Sequence, residues 1–369
     1  MSARTHVPVH TENGVYEVVI GPGVLGETGQ RVREVSASAR CALVTDEHVG
    51  ALYADGVAES LGSAGFEVSQ IVVRPGERSK EWGAAGRVLE ELAISGLDRT
   101  GLVVALGGGV VGDLAGFCAA VFLRGVEYVQ LPTTLLAQVD SSVGGKTGVD
   151  LAAGKNLAGA FKQPLLVLAD TDALLTLSDD EWSSGLGEVA KTAMLAGADA
   201  VADLETHAEP LLAREPVAVR LAVEAAVRHK AAVVAADERE SGLRESLNYG
   251  HTLGHAIERV AGYGVVPHGA AVAEGMRFAA RLARRVAAAP EWVAGRQEAL
   301  LDALGIGRPD YPRDVAALVE AMHADKKARG GQVRFALLAE PGEFVAVAVR
   351  DEVIADELAR FFDESDERG

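Results

Sequence analysis

Two histidines four residues apart are the most distinctive chemical feature of the sequence, in the stretch SLNYGHTLGHAIE at 246–258. In a helix, this spacing places His251 and His255 on one face. Metalloprotease helices bind zinc through two such histidines, but they carry a glutamate directly after the first, where this chain has Thr252. The residues alone therefore allow two metal ligands, one ligand, or two core histidines.

A polar stripe extends this pattern towards the amino terminus. Arg244, Asn248, His251 and His255 follow one another at spacings of four, three and four. All four side chains project from one face if a helix begins near Arg244. Such a stripe is an unusual face for core packing, so it predicts a ligand-binding surface.

Glu188 and His268 extend the set of candidate metal ligands. GLGEVAKT places Glu188 and Lys191 on one helical face, a spacing that also suits an ordinary surface ion pair. His268 lies in a Pro–His–Gly turn. One carboxylate and two imidazoles are a common donor set at catalytic zinc, where a fourth position stays open for substrate. The long intervals between Glu188, His251 and His268 leave this assignment open.

A glycine-rich turn in LVVALGGGVVGDLAG is a candidate nucleotide site. Gly107, Gly109 and Gly112 satisfy G-x-G-x-x-G directly after a predicted strand. Glycines let the backbone approach a pyrophosphate, and the amino terminus of the following helix supplies N–H donors. The acidic residue of the standard dinucleotide motif is not clearly placed, because Glu127 comes too early. A nucleotide site and a plain tight turn both stay open.

Lysines in glycine-rich backbone predict a second anion-binding segment. Residues 140–156 carry Lys146 and Lys155 among glycines, with Asp140 and Asn156 beside them. Lysine is a compact charge, and glycine lets a ligand come near. GGKTG resembles the end of a P-loop, but the upstream glycine is absent. A flexible surface loop is the alternative.

Two further charged segments are most simply interpreted as solvated, namely RPGERSK at 74–80 and VRHKAAVVAADERE at 227–240 with Lys230 and Glu240. In ADKKARGG at 324–331, Lys326 and Lys327 are most simply a basic pair at the end of a helix.

The elements that must position these residues differ between the two halves of the chain. Strands are predicted at Tyr16–Ile20, Cys41–Thr45, Glu67–Val73, Leu102–Leu106, Glu127–Leu131 and Leu165–Ala169, with helices between several of them. Helical periodicity then covers 180–195, 199–213, 215–236, 246–261, 269–288, 291–304 and 313–327, before a candidate strand at 332–338. This order predicts an α/β domain with a mostly parallel, Rossmann-like sheet at 1–174, followed by a mainly α-helical domain at 175–369.

Composition limits the class of protein. The chain has 369 residues, 49% hydrophobic and 24% charged, which is typical of soluble globular proteins. A net charge of −18 argues against a nucleic-acid or anionic membrane surface. No apolar run approaches the roughly 20 residues of a membrane helix. Cys41 and Cys118 lie in apolar surroundings, which predicts buried free thiols and a cytoplasmic protein.

Taken together, these segments resemble the 3-dehydroquinate synthase family of sugar phosphate cyclases. The matching segments are LGGGVVGDLAGF, FLRGVEYVQLPTTLLAQVDSSVGGKTGVDLAAGKNLAGAFKQP, GLGEVAKT, DERESGLRESLNYGHTLGHAIE, PHGAAVAEGM and DKKARGGQVRFALL, in family order. The resemblance implies a phosphate-eliminating lyase of the shikimate pathway, which converts 3-deoxy-D-arabino-heptulosonate 7-phosphate into 3-dehydroquinate and phosphate. The implied route is transient NAD-dependent oxidation, phosphate elimination, reduction and intramolecular aldol closure.

The resemblance also implies roles for residues of this sequence. NAD would contact Asp46, Glu77, Lys80, Gly108, Gly109, Gly112, Asp113, Thr133, Thr134, Lys146, Lys155 and Thr176. A divalent metal, zinc or alternatively cobalt, would bind to Glu188, His251 and His268. Catalytic positions are Lys191, His255, Lys146, Asp140 and Glu240. Substrate positions are Arg124, Asn156, Lys230, Arg244, Asn248 and one of Lys326 and Lys327. In this assignment His255 faces the substrate, a small anionic sugar-acid phosphate, and the family suggests a homodimer.

Three alternatives to this function differ in what they require of the site. Another sugar phosphate cyclase would make an aminated dehydroquinate or act on a sedoheptulose phosphate. Arg244 and Asn248 favour a substrate with a carboxylate, which argues against the sedoheptulose phosphate alone. A metal-dependent polyol dehydrogenase has no need of the anion-binding residues Lys146, Lys155, Asn156, Lys230 and Arg244 together. A non-catalytic NAD-binding sensor would not need an intact metal set.

Overall fold

The structure, a computed structural model, describes residues 4–324 and 332–366. Its strands are β1 (Thr5–Thr11), β2 (Gly14–Gly21), β3 (Arg40–Asp46), β4 (Glu67–Val73), β5 (Leu102–Gly107), β6 (Glu127–Pro132), β7 (Lys146–Leu151), β8 (Gly154–Phe161), β9 (Leu166–Asp170), β10 (Gln332–Leu338) and β11 (Phe344–Arg350). Its helices are α1 (Thr28–Val35), α2 (Glu47–Val49), α3 (Asp55–Ser63), α4 (Trp82–Ile94), α5 (Gly109–Val121), α6 (Asp179–Ala196), α7 (Ala198–Leu212), α8 (Pro216–Ala236), α9 (His251–Ala261), α10 (His268–Val286), α11 (Glu291–Ala303), α12 (Val315–Ala324) and α13 (Asp351–Asp366).

The chain divides into two compact units. The first runs to Ser178 and also contains Val219–Ala235, and the second contains Asp179–Ala218 and the chain from Ala236 onward. Most of α8 therefore belongs to the first unit, although it lies within the helical part of the sequence. Because compact units and ligand-binding domains need not coincide, the division into binding domains at 174/175 stays a prediction.

A seven-stranded sheet forms the centre of the first unit, in the order β1-β2-β9-β6-β5-β3-β4. Strands β1 and β2 are antiparallel, and all other neighbours are parallel. Every residue of β5 is buried, as expected for a parallel strand that is covered on both faces. The six predicted strands and the mostly parallel sheet are confirmed. Strand β1 was missed because it contains Pro8, which an edge strand tolerates.

The second unit is mainly helical, and glycines let three of its helices approach very closely. A Cβ atom on Gly269 of α10 would lie 1.9 Å from the carbonyl oxygen of Ser184 on α6. A Cβ atom on Gly275 of α10 would lie 1.9 Å from the carbonyl oxygen of Gly250, directly before α9. Any larger residue would push these helices apart. None of the helices in the described ranges is both long and apolar enough to cross a membrane.

The start of α9 differs from the sequence prediction. Residues Leu243–Asn248 form a 3₁₀ segment, and Gly250 takes a left-handed conformation with φ of 80° before the helix begins at His251. The predicted single stripe of Arg244, Asn248, His251 and His255 is therefore wrong, and only the two histidines share a helix. The predicted strand at 332–338 is confirmed as β10, whereas β11 and α13 were not predicted.

We expect Gly275→Ala to lower the free energy of unfolding by about 1–3 kcal/mol, because the new methyl group collides with a backbone carbonyl. Gly295→Ala on α11 is the matched control, since nothing lies within 4 Å of its Cβ position. That control should gain up to about 1 kcal/mol from helix propensity. Urea unfolding of both variants measures the difference, and equal stability changes would contradict the close approach.

Candidate active site

The candidate cofactor residues of the first unit follow the carboxyl ends of its parallel strands. Asp46 ends β3, the turn Gly107–Gly109 joins β5 to α5, Thr133 follows β6, and Thr176 ends a 3₁₀ segment after β9. Open α/β sheets bind ligands at this edge. The N–H of Thr133 donates to the carbonyl oxygen of Gly107 at 3.0 Å, so these two turns lie side by side.

The glycine turn is as close-fitting as its sequence suggests. A Cβ atom on Gly108 would lie 3.0 Å from the methyl group of Thr134, and one on Gly112 would lie 2.7 Å from Oε1 of Gln130. Helix α5 begins at Gly109 and presents its first N–H groups at this turn. This backbone fits an anionic part of a nucleotide, such as a pyrophosphate.

A network of charged residues follows β4 and reaches α5. Lys80 Nζ donates to Asp113 Oδ2 at 2.5 Å, and Lys155 Nζ lies 3.2 Å from Glu77 Oε1. Burial disfavours the charge on Lys80, but Asp113 and Glu77 outweigh burial and raise its pKa. The ammonium therefore stays charged at neutral pH. The prediction that RPGERSK is a solvated turn is wrong for Lys80, which is buried.

The GGKTG segment leads into a β-hairpin formed by β7 and β8. Because Lys146 starts a strand, neither a P-loop, which is followed by a helix, nor a flexible loop describes it. The N–H of Asp150 in β7 donates to the carbonyl oxygen of Lys80 at 2.6 Å. Asn156 has a positive φ of 54°, and its N–H donates to Asp150 Oδ1 at 2.8 Å. The hairpin is thus joined to the charged network.

Lys230 and Asp140 form a close pair, whereas Arg124 lies elsewhere in this unit. Lys230 Nζ lies 2.6 Å from both the carbonyl oxygen and Oδ1 of Asp140. Lys230 is buried, so its interpretation as part of a solvated helix face is wrong.

Arg124 follows the carboxyl end of α5, a helix of 13 residues, and its backbone is therefore about 20 Å from the glycine turn. The structure does not bring Arg124 to that turn.

In the second unit, the three candidate metal ligands converge. Glu188 Oε1 lies 3.4 Å from Nε2 of His251 and 3.5 Å from Nε2 of His268. The donor atoms of the three residues all lie within 4.8 Å of one another. Oε1 of Glu188 is buried, faces both imidazoles and, among the described residues, has no hydrogen bond of good geometry. A divalent cation would satisfy this oxygen, so the donor set fits a metal site.

The other ring nitrogens of the two histidines also have partners. His251 Nδ1 lies 3.2 Å from the carbonyl oxygen of Tyr249, and His268 Nδ1 lies 3.1 Å from Glu258 Oε2. Both Nε2 atoms therefore face Glu188, as in metal sites where the second nitrogen of each histidine bonds a carbonyl or carboxylate. Glu258 was not predicted as a site residue. The feature of the sequence that could have indicated it is its position three residues after His255.

His255 lies beside this cluster. Its ring centre is 5.2 Å from that of His251 and 6.1 Å from that of His268. His255, Glu258 and His268 also have donor atoms within 4.8 Å of one another, but there a hydrogen bond already joins Glu258 to His268. The geometry therefore favours His251 as the ligand and His255 as its neighbour, and the roles of both stay predictions.

Lys191 and Glu188 form a buried pair, so the surface ion-pair interpretation is wrong. Lys191 Nζ lies 2.5 Å from Glu188 Oε2 and donates to the carbonyl oxygen of Leu247 at 2.9 Å. Burial opposes the charge on Glu188, but Lys191 and His251 hold its pKa well below the usual value. Burial and Lys191 also lower the pKa of His251, which keeps this imidazole neutral and able to bind a metal.

Asp237 organises the loop that precedes α9. Its Oδ1 accepts hydrogen bonds from the N–H and the hydroxyl of Ser241 at 2.8 and 3.0 Å. Its Oδ2 accepts from the N–H groups of Gly242 and Arg244 at 2.8 and 2.9 Å. Burial opposes the charge, but these bonds hold the pKa of Asp237 well below its ordinary value.

This loop carries three of the predicted substrate and catalytic residues. Arg244 is buried, and its guanidinium donates to the carbonyl oxygen of Glu238. Asn248 Nδ2 donates to Glu240 Oε1 at 2.8 Å. The structure therefore brings Arg244, Glu240 and Asn248 into one loop, whereas Lys326 and Lys327 lie outside the described residues.

Solved structures share this fold over nearly the whole chain. 2-Deoxy-scyllo-inosose synthase, complexed with carbaglucose-6-phosphate, NAD⁺ and Co²⁺, has a TM-score of 0.86 at 26% identity and covers 96% of this chain and 100% of its own. 2-Epi-5-epi-valiolone synthase from Streptomyces hygroscopicus, with NAD⁺ and Zn²⁺ bound, has a TM-score of 0.84 at 28% identity and covers 95% and 97%. Fold and site together define the class of sugar phosphate cyclases.

Sequence comparison assigns the chain to a family within this class. Models of the N-terminal and C-terminal parts of 3-dehydroquinate synthase match residues 70–184 and 185–328. The 3-dehydroquinate synthase of Caulobacter vibrioides is 46% identical over 349 residues, which cover 92% of this chain and 94% of that protein. The chain belongs to the 3-dehydroquinate synthase family, as its motifs predicted.

We expect Asp237→Asn to lower the free energy of unfolding at pH 7 by about 1–3 kcal/mol, because an amide nitrogen cannot accept the N–H groups of this loop. The folded pKa of Asp237 is depressed, so its contribution is complete above the ordinary value of 3.8 and is lost as the pH falls below it.

The stability difference between wild type and variant should therefore shrink below about pH 4 in urea unfolding. Asp302→Asn, at an exposed position on α11, is the control and should show little change at any pH. A difference that does not depend on pH would contradict the depressed pKa.

Proposed function

We propose that this chain catalyses the reaction of its family, the conversion of 3-deoxy-D-arabino-heptulosonate 7-phosphate into 3-dehydroquinate and phosphate, in the shikimate pathway. The observation that carries the proposal is the buried cluster of Glu188, His251 and His268 with Lys191 beside it. Relatives of this chain bear the name of this enzyme at 43–47% identity over most of their length.

The two cofactors of the proposed reaction would bind to different units. Glu188, His251 and His268 would hold a divalent cation, zinc or cobalt, which would polarise a hydroxyl group of the substrate. The glycine turn and the residues around Lys80 would hold NAD, which would accept a hydride and later return it. Glu188 contributes a negative charge and His251 a neutral imidazole, both of which suit a cation.

The basic residues suit a substrate with a carboxylate and a phosphate. A chain with a net charge of −18 buries two basic side chains, Lys230, which pairs with Asp140, and Arg244. The planar guanidinium of Arg244 can bind a carboxylate through two parallel hydrogen bonds. This supports a sugar acid phosphate as the substrate over a sugar phosphate that has no carboxylate.

Lys191 is the proposed proton-carrying group beside the metal ligands. Its ammonium is held by Glu188 and by the carbonyl oxygen of Leu247. A substrate oxygen near the cluster would meet a positioned N–H donor there, without the cost of reorganising water. Glu240 and Asn248, which are bonded to each other, would hold the substrate.

The function is tested by mixing the purified protein with heptulosonate phosphate and NAD⁺ in an amount far below that of the substrate. We expect phosphate and dehydroquinate in equal amounts, many turnovers per NAD⁺, and no accumulation of NADH, because the hydride is returned. Glycerol in place of the sugar acid is the control. NADH release from glycerol without phosphate release from the sugar acid would instead identify a polyol dehydrogenase.

Two variants of adjacent residues separate metal binding from turnover. Glu188→Gln should lose both the metal and the activity, because it removes the one charged ligand. Lys191→Ala should keep NAD and metal but lose turnover by about 100-fold or more, the usual contribution of a positioned proton donor. Metal analysis and phosphate release measure both properties. Full zinc occupancy in the first variant, or unchanged turnover in the second, would count against these roles.

We also propose that the protein is a cytoplasmic homodimer. The 3-dehydroquinate synthase family suggests the dimer, and Trp82, Leu123 and Phe161 of the first unit offer apolar side chains that are 60%, 40% and 49% exposed. Cys41 and Cys118 are buried and unbridged, which suits a reducing compartment. Light scattering of the purified protein measures the mass of the assembly.

A further inference from the structure

Glu258 lies on α9 at the contact with α10 and is 3% exposed. Its Oε2 accepts from Nδ1 of His268 at 3.1 Å, while Nε2 of the same ring lies 3.5 Å from Glu188 Oε1. One imidazole therefore connects two buried carboxylates. Glu188 is one of the three candidate metal ligands. Glu258 has no role in the proposed function as described above.

We propose that Glu258 is a positioning residue that orients His268 for metal binding. This inference rests on the proposed function, because it takes His268 as a metal ligand. A carboxylate at Nδ1 selects the ring form that carries its proton there, and so leaves the lone pair of Nε2 for a cation. It also prevents rotation of the ring about its side-chain bonds.

The two histidines of the site differ in how they are held. His251 is bonded through the backbone carbonyl of Tyr249, two residues earlier in the chain, so the fold itself supplies its partner. His268 begins α10, and its partner comes from a different helix, α9. The contact at Nδ1 of His268 therefore depends on one side chain, and a single substitution can remove it.

The backbones of α9 and α10 approach closely around this contact. A Cβ atom on Gly254, one turn before Glu258, would lie 3.1 Å from the carbonyl oxygen of Ala271, which is closer than an ordinary van der Waals contact. Helices α9 and α10 therefore lie backbone to backbone at this level. The carboxylate of Glu258 spans this short distance to His268, and a shorter or neutral side chain would not reproduce both its reach and its charge.

The test is a metal titration of protein that has been freed of metal by a chelator. Glu258→Gln should bind Zn²⁺ about 10- to 100-fold more weakly than wild type in a competition assay, as is usual when the outer partner of a metal-bound histidine is lost. At saturating Co²⁺, the visible spectrum of this variant should match that of wild type, because its ligands are unchanged.

Glu274→Gln is the matched control. Glu274 is also a buried glutamate, on α10, but it pairs with Arg277 and Arg308 and not with a histidine of the site. It should lose stability without any change in Zn²⁺ affinity. If Glu258→Gln and Glu274→Gln both fold and bind Zn²⁺ as tightly as wild type, the inference is overturned while the proposed function stands.

Two other results have different meanings. A changed Co²⁺ spectrum in saturated Glu258→Gln would show that Glu258 is itself a ligand, as in the group of His255, Glu258 and His268, and would overturn a positioning role. Failure of wild type to bind either metal would overturn the proposed function and this inference together. Turnover is not needed for any of these measurements.

Discussion

The close approach of α6, α9 and α10 is the constraint on which the second unit depends. A glycine stands next to each candidate metal ligand in the sequence: Gly187 before Glu188, Gly250 before His251, and Gly269 after His268. Each of these glycines lies where a Cβ atom would come within 2.6 Å of a backbone atom of a neighbouring helix. Short side chains such as Glu and His can reach a common point only when their helices are this close. The glycines thus bring the donor atoms together.

Charge burial is the second constraint, and it acts in both units. Lys80 is buried with Asp113, Lys230 with Asp140, and Lys191 with Glu188. Buried ion pairs add little net stability, because desolvation offsets most of their attraction. Their value lies in position, since a charge held by a partner is already oriented when an anionic substrate or a cofactor arrives. The first unit combines its buried ion pairs with a glycine turn at the carboxyl edge of its sheet. The second unit combines its buried ion pair with a cluster of imidazoles.

Local patterns failed where a residue's role depended on distant contacts. RPGERSK and VRHK look like solvated segments, because nothing in either segment shows that Lys80 and Lys230 meet carboxylates from elsewhere in the first unit. The same holds for Glu258, which resembles any helical glutamate until α10 brings His268 to it. The hairpin β7–β8 was missed for a different reason. Its two strands are neighbours in the chain, but their glycines weaken the pattern that predicts a strand.

The sequence by itself determined the elements and the family. Apolar runs such as that of β5 specify buried strands, and the glycine turn marks the junction of a strand and a helix. These two features can be predicted from the sequence because each depends on neighbouring residues alone. The order of motifs determined the membership of the 3-dehydroquinate synthase family. Only the tertiary structure decided where α9 begins, which nitrogen of each histidine faces Glu188, and which lysines are buried. These depend on contacts between segments far apart in the chain. The left-handed Gly250 and the loop bonded to Asp237 interrupt a helical periodicity that continues in the sequence.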